Sequence, residues 1–213
     1  MGTGAAPDGG AVPFIGLTGG LGAGKSTALA LLGELGAAVI SADAVVHELY
    51  RGEPLRSLVV ERWGDGVLQA EGHIDRSVIA ERVFAAPDER AWLESVIWPL
   101  VGQRMAEFRE QADTEFQIGA AGAPRAAVVE TPLLFEAGMA PLYDATIAVI
   151  APEDVRAERA AARGHAAVSE RDARQLPQQE KADLADHVVV NDGSLDHLRE
   201  RLAKVLDAVA PPR

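Results

Sequence analysis

Cysteine is absent from the 213-residue chain, which excludes disulfides, thiolate metal sites and cysteine nucleophiles and fits a reducing cytosol. No apolar run approaches the roughly eighteen residues that a membrane span needs. The first eleven residues are Gly/Ala-rich, without the basic and apolar stretches of a secretory signal, and Ala6 stands where a myristoylation signal has Ser or Thr. Basic residues are outnumbered 20 to 32, for a formal net charge of −12. A polyanion such as DNA is repelled by that field, and no Lys/Arg stripe with interleaved aromatics offsets it. The five histidines lack metal-ligand spacing. Lysine itself is scarce: among the 20 basic residues only Lys25, Lys181 and Lys204 are lysines.

One of those three sits in the most specific stretch of the chain. Gly19-Gly20-Leu21-Gly22-Ala23-Gly24-Lys25-Ser26 spells G-x-x-x-x-G-K-S, directly after an apolar run ending at Leu17. Glycines let the backbone wrap an anion with its N–H groups turned inward, and the next helix starts with its positive end at the same point. In this motif Lys25 reaches the β- and γ-phosphates, and the Ser26 hydroxyl ligates Mg²⁺. Gly19, Gly20, Gly22, Ala23, Gly24, Lys25, Ser26 and Thr27 are therefore the expected ATP-binding residues.

Around the loop the pattern is that of an α/β protein. Residues 11–17 read as a buried strand, Ala28, Leu31, Leu32 and Leu35 as one face of a helix stopped by Gly36, and 37–40 as a second strand. From Pro54 to Ala112 the pattern is helical: Trp92, Leu93, Val96 and Ile97 run up to Pro99, and Met105 and Phe108 belong to a following helix. Trp63, Trp92 and Trp98 read as core of that helical part. Residues 114–125 read as a loop, and 126–129, 146–150 and 187–190 as further strands. The last helix carries Leu195, Leu198, Leu202, Leu206 and Val209 behind a Ser194 N-cap. The expectation is a P-loop NTPase-type three-layer fold around a five-stranded, mostly parallel sheet. Ligands in such sheets bind beyond the strands' carboxyl ends, which directs attention to Asp43, Glu130 and Asn191.

A phosphate loop alone does not choose among kinases, GTPases and motors. No N-K-x-D guanine signature is present, and a small core with a helical insertion and an Arg-rich segment suits a kinase of a small metabolite. Further blocks narrow the choice: Gly16-Leu17-Thr18 leading into the loop, Ala42-Asp43 with His47 four residues on, and Gly72-His73-Ile74-Asp75-Arg76. Val83-Phe84, Pro132-Leu133-Leu134-Phe135-Glu136, Arg159-x-x-x-Arg163, and Ala185-Asp186 with Asn191 complete the set. In these blocks the chain resembles the dephospho-CoA kinase family from Phe14 to about Leu206. The resemblance implies transfer of the ATP γ-phosphate to the ribose 3′-hydroxyl of dephospho-CoA, with ATP and Mg²⁺, by a cytoplasmic protein that is a monomer or weak oligomer with no nucleic-acid or membrane partner. It also implies a layout: a tail (1–11), a nucleotide-binding core (12–53, 126–152 and 182–210), a helical acceptor-binding insertion with its loop (54–125) and a lid (153–181). Another small nucleoside or nucleotide kinase, or a non-catalytic nucleotide-gated module, are the alternatives.

The resemblance also assigns roles. Asp43 is implied as the base that orients the acceptor hydroxyl; the plain alternative is a helix N-cap. Arg159 and Arg163 share one helix face and resemble lid arginines that neutralise charge on the transferring group; the alternative is a solvated basic face. His47, Arg76 and Glu136 are acceptor-side candidates, Glu136 and Glu130 being equally open to a role near Mg²⁺ or a structural one. Asn191 lies near the adenine or simply ends its strand. The chain departs from the family pattern at Ser41, Trp98, Glu130 and His47, where the family has Asp, His, Asp and Arg. It is also about four residues short between Ser169 and Gln175.

Overall fold

The computed structural model describes residues 11–162 and 175–211. The expected tail up to residue 10, Arg163 and the short stretch after Ser169 lie outside the described residues. Five strands form one sheet: β1 (Phe14–Gly19), β2 (Ala38–Ser41), β3 (Ala127–Glu130), β4 (Ala145–Ile150) and β5 (His187–Val190). Their order is β2-β3-β1-β4-β5, and every pairing is parallel, where the sequence suggested a mostly parallel sheet. β1 and β3 are buried at every residue. This is what an unbroken apolar run gives when helices cover both faces of a sheet.

One face is covered by α1 (Lys25–Glu34) and α8 (Leu195–Val209). Ile15, Leu17, Val128, Ile147, Val149 and Val189 form a core there with Leu31, Leu32, Leu198, Leu202 and Leu206. The last three are spaced by four, and the helix starts where Ser194 Oγ accepts the His197 amide at 3.3 Å, as the sequence indicated. On the opposite face α7 (Gln178–Leu184) packs on β1 and β4, and Gly16 lies against Leu134 and Tyr143. The remaining core helix, α6 (Glu153–Ala162), follows β4. β2 follows α1 in sequence, yet β3 lies between β1 and β2. Order therefore reverses beside β1, and the crevice of such a sheet opens at that reversal, at the strand's carboxyl end.

Residues 42–107 form a separate compact unit. It begins at Ala42 rather than near Pro54, because α2 (Ala42–Leu49) starts without a linker where β2 stops. α3 (Leu55–Trp63), α4 (Arg76–Ala85) and most of α5 (Pro87–Gln117) complete it. The two helices anticipated on either side of Pro99 are one helix of 31 residues. A proline removes a single amide donor, and buried Leu93, Ile97 and Val101 continue one stripe past it. Trp98 is off that stripe and 56% exposed, contrary to its expected place in the core. Trp63 and Trp92 do pack, edge to face at 4.8 Å, with Arg62 over Trp92.

The edge strand β5 is tied to β4 by one carboxylate. Asp186 Oδ2 accepts the Thr146 amide at 2.8 Å and its hydroxyl at 2.7 Å. Asp186→Ala strands both donors in the buried Thr146 and is expected to cost about 2–3 kcal/mol in urea unfolding, against well under 1 kcal/mol for an exposed control such as Asp196→Ala.

Candidate active site

The phosphate-binding residues occupy the turn from β1 into α1. Gly24 takes φ 95° at the helix N-cap with no side chain capping the first amides and no acidic residue in the first turn, so the helix presents its positive end uncancelled. Lys25 Nζ donates to the Gly19 and Gly20 carbonyls at 3.1 and 3.0 Å. Ser26 is exposed in the first turn beside Thr27.

The loop is held by Arg156, which the sequence reading passed over, and by Asn191, which it singled out. Arg156 of α6 donates Nε to the Leu21 carbonyl at 2.9 Å. The chain at Gly22 (φ 73°) passes so near α6 that a β-carbon there would stand 2.6 Å from the Arg156 carbonyl. On the other side buried Asn191 donates its amide to the Ala23 carbonyl at 2.9 Å, and a β-carbon on Gly24 would meet that amide at 2.2 Å. Asn191, directly after β5, therefore acts on the loop itself. Arg156 precedes Arg159 by three residues, hence shares its helix face, and that spacing was the available signal.

Arg159 adds a charge. Its Nη1 is buried and has no hydrogen-bond partner among the described residues; it lies 3.7 Å from the point a Gly24 β-carbon would occupy. A guanidinium nitrogen buried without an acceptor is costly, and beside the glycine loop and the uncapped α1 N-terminus it suits an anionic ligand. Arg163, its expected companion, lies outside the described residues.

Glu136, an acceptor-side candidate with a structural alternative, carries an enclosed ion pair. Its Oε1 pairs with Lys181 Nζ at 2.9 Å and accepts the Leu176 amide at 2.7 Å. Lys181 is fully enclosed and also donates to the Pro132 carbonyl at 2.5 Å, which Thr18 Oγ1 shares at 3.3 Å. Burial lowers the Lys181 pKa, and the Glu136 carboxylate opposes that shift. The pair spans 45 positions, so no local pattern announces it; the rarity of lysine was the only hint. Glu130 ends β3 buried, in register with Leu17 on one side and Ser41 on the other.

In the helical unit Asp43 occupies the first turn of α2, inside the helix rather than at its cap. His47 and Arg76 meet: Arg76 Nη1 donates to His47 Nδ1 at 2.6 Å. Among the described residues no group of three or more His, Cys, Asp or Glu side chains has metal-binding geometry. A Mg²⁺ held chiefly by nucleotide phosphates needs only a hydroxyl such as that of Ser26 beside the loop, and the exposed Ser26 fits that donor set.

Residues 13–197 match the family model described as Dephospho-CoA kinase. The chain belongs to the dephospho-CoA kinase family. A relative named dephospho-CoA kinase from Anaeromyxobacter dehalogenans is 41% identical over 90% of each chain. One from Rhodopseudomonas palustris is 37% identical over 92% of this chain and 95% of the relative. The solved dephospho-CoA kinase from Campylobacter jejuni superposes with a TM-score of 0.65 at 25% identity, over 92% of this chain and 96% of that one. Kinase and transferase chemistry at a nucleotide-binding P-loop goes with this membership.

Two measurements test the site. Gly24→Ala forces a β-carbon into Asn191 at a positive φ and is expected to weaken ATP binding at least about tenfold by titration calorimetry, since more than 1.4 kcal/mol of strain meets the binding conformation. Lys181→Met leaves the Glu136 carboxylate buried alone and should cost about 3–5 kcal/mol of stability. Lys181→Met with Glu136→Leu should recover most of that loss in a double-mutant cycle.

Proposed function

We propose that this enzyme transfers the γ-phosphate of ATP to the ribose 3′-hydroxyl of dephospho-CoA, giving coenzyme A. The observation that carries the reading is family membership across residues 13–197, which includes both the phosphate loop and the helical unit. The geometry of the core supports the ATP half. Backbone amides of the loop, the α1 N-terminus and Lys25 hold the triphosphate. Arg159 places a desolvated positive charge beside Gly24, where charge on the transferring group accumulates. Arg163 joins it by the resemblance of the Arg-x-x-x-Arg block. Ser26 would hold a Mg²⁺ that arrives with the nucleotide, and that ion would supply charge neutralisation for the transferring phosphate.

The acceptor half is assigned to the helical unit. Asp43 orients the 3′-hydroxyl and accepts its proton; in a loose phosphoryl-transfer transition state, positioning of the nucleophile matters more than basicity. Arg76, with His47 bonded to it, serves the acceptor side. Asn191 serves ATP indirectly, through the Ala23 carbonyl. Among the described residues no helix is long and apolar enough to cross a membrane. On the family resemblance we place this activity in the cytoplasm, acting on two small molecules without a nucleic-acid or membrane partner.

The test is transfer from γ-labelled ATP to a panel of acceptors. Strong labelling of dephospho-CoA is expected; labelling of a nucleoside monophosphate with none of dephospho-CoA refutes the assignment. Asp43→Asn should lower kcat at least about 100-fold, the usual scale for a positioned base, with ATP affinity retained. Turnover near wild type would leave Asp43 only a helix-terminal charge.

A further inference from the structure

The helical unit contains a cavity of about 450 Å³ lined in part by His47, Tyr50, Arg51, His73, Asp75 and Arg76. Its charge runs against the rest of the chain. The protein carries −12 overall, yet this wall gathers two arginines and two of the five histidines. The single carboxylate of the wall is engaged through one oxygen: Asp75 Oδ1 accepts the Ser77 and Val78 amides at 2.9 and 3.4 Å as the N-cap of α4. Hydrogen bonds from the Ser77 hydroxyl and amide hold its carboxyl below the ordinary range, so Asp75 is committed to the helix.

Arg76 is also held in place before any ligand arrives. Its guanidinium lies 5.3 Å from the centre of the Tyr50 ring, and its Nη1 donates to His47 Nδ1. A guanidinium keeps its protons, so His47 must offer a lone pair at Nδ1 and carry its proton on Nε2. His47 thus fixes the rotamer of Arg76, whose remaining N–H donors stay available. A planar fork held by a ring and an imidazole, with a second arginine on the same wall, matches the paired oxygens of a diphosphate.

We propose that this cavity is the subsite for the 5′-diphosphate of the acceptor, gripped by Arg51 and Arg76, with His47 as a positioning residue acting through Arg76. The inference rests on the acceptor reading above and adds which part of the acceptor is held, and by what. The diphosphate is fixed on the helical unit, and the γ-phosphate of ATP belongs to the loop. The two anionic groups are therefore separately addressed, and a substitution in one subsite changes one affinity.

Titration of the full-length chain with dephospho-CoA, and separately with a non-hydrolysable ATP analogue, tests this. Arg51→Gln and Arg76→Gln should each weaken dephospho-CoA binding about 10- to 100-fold, the range for losing a hydrogen bond to a charged group, and leave the ATP analogue within about twofold. Arg51 is exposed, so its variant tests the grip without burdening the fold. His47→Asn, whose side-chain oxygen can accept from Arg76, should bind within about threefold of wild type, and His47→Leu should lose about five- to tenfold. Those losses should appear in KM for dephospho-CoA and not in kcat. Unchanged dephospho-CoA affinity in both arginine variants overturns the subsite, as does an equal loss for the ATP analogue or an effect confined to kcat. Wild-type protein that fails to phosphorylate dephospho-CoA at all overturns the acceptor reading instead.

Discussion

A phosphate loop holds an anion best when its backbone is set in advance, and in this protein close packing fixes the loop from three sides. Arg156 of α6 holds the Leu21 carbonyl, Asn191 after β5 holds the Ala23 carbonyl, and Gln178 of α7 stands 3.1 Å from where a Gly20 β-carbon would be. A donor ring that is set before binding loses little freedom on binding, and its dipoles need not reorganise during transfer. The chain's acidity does not prevent this. Distant surface charge is screened over about 8 Å at physiological salt, whereas the loop amides and Arg159 act at contact.

The Pro132 carbonyl links this cradle to the interior. Thr18, one residue before the loop, and Lys181 of α7 both donate to it, and Lys181 passes the connection to Glu136 and the Leu176 amide. A buried pair of this kind contributes little net stability compared with an apolar replacement of both partners, but it fixes where the partners sit. In this chain it ties the strand feeding the phosphate loop to the segment returning at Leu176.

The parts of this architecture that were legible in the sequence are those governed by near neighbours. Strands appeared as short apolar runs, α8 as leucines four apart behind Ser194, and the phosphate loop as glycines at fixed spacing. Long-range pairing was hidden. Nothing in residues 126–129 says that this strand slots between two earlier ones, and nothing near Glu136 points 45 residues on to Lys181. Pro99 misled because local propensity was read without the stripe of Leu93, Ile97 and Val101 that holds the helix together through it. At the site the loop residues, His47 and Arg76 were each singled out in the sequence, but the contact between His47 and Arg76 was not. Nor was the use of Asn191 as a brace, because it depends on the distance between a strand end and a loop that the sheet alone brings together.

The enclosed ammonium of Lys181 gives the chain's composition a second meaning. Arginine outnumbers lysine among the 20 basic residues, with only three lysines in the chain; on a wet surface either cation serves. Arginine does not serve where the cation must fit a point rather than a plane: between the Gly19 and Gly20 carbonyls, or in a pocket closed by Pro132 and Glu136. Two of the three lysines stand at those places. Lys204, exposed on α8, is the third; the other two ammonium groups each sit where a small, round cation fits and a broad guanidinium does not.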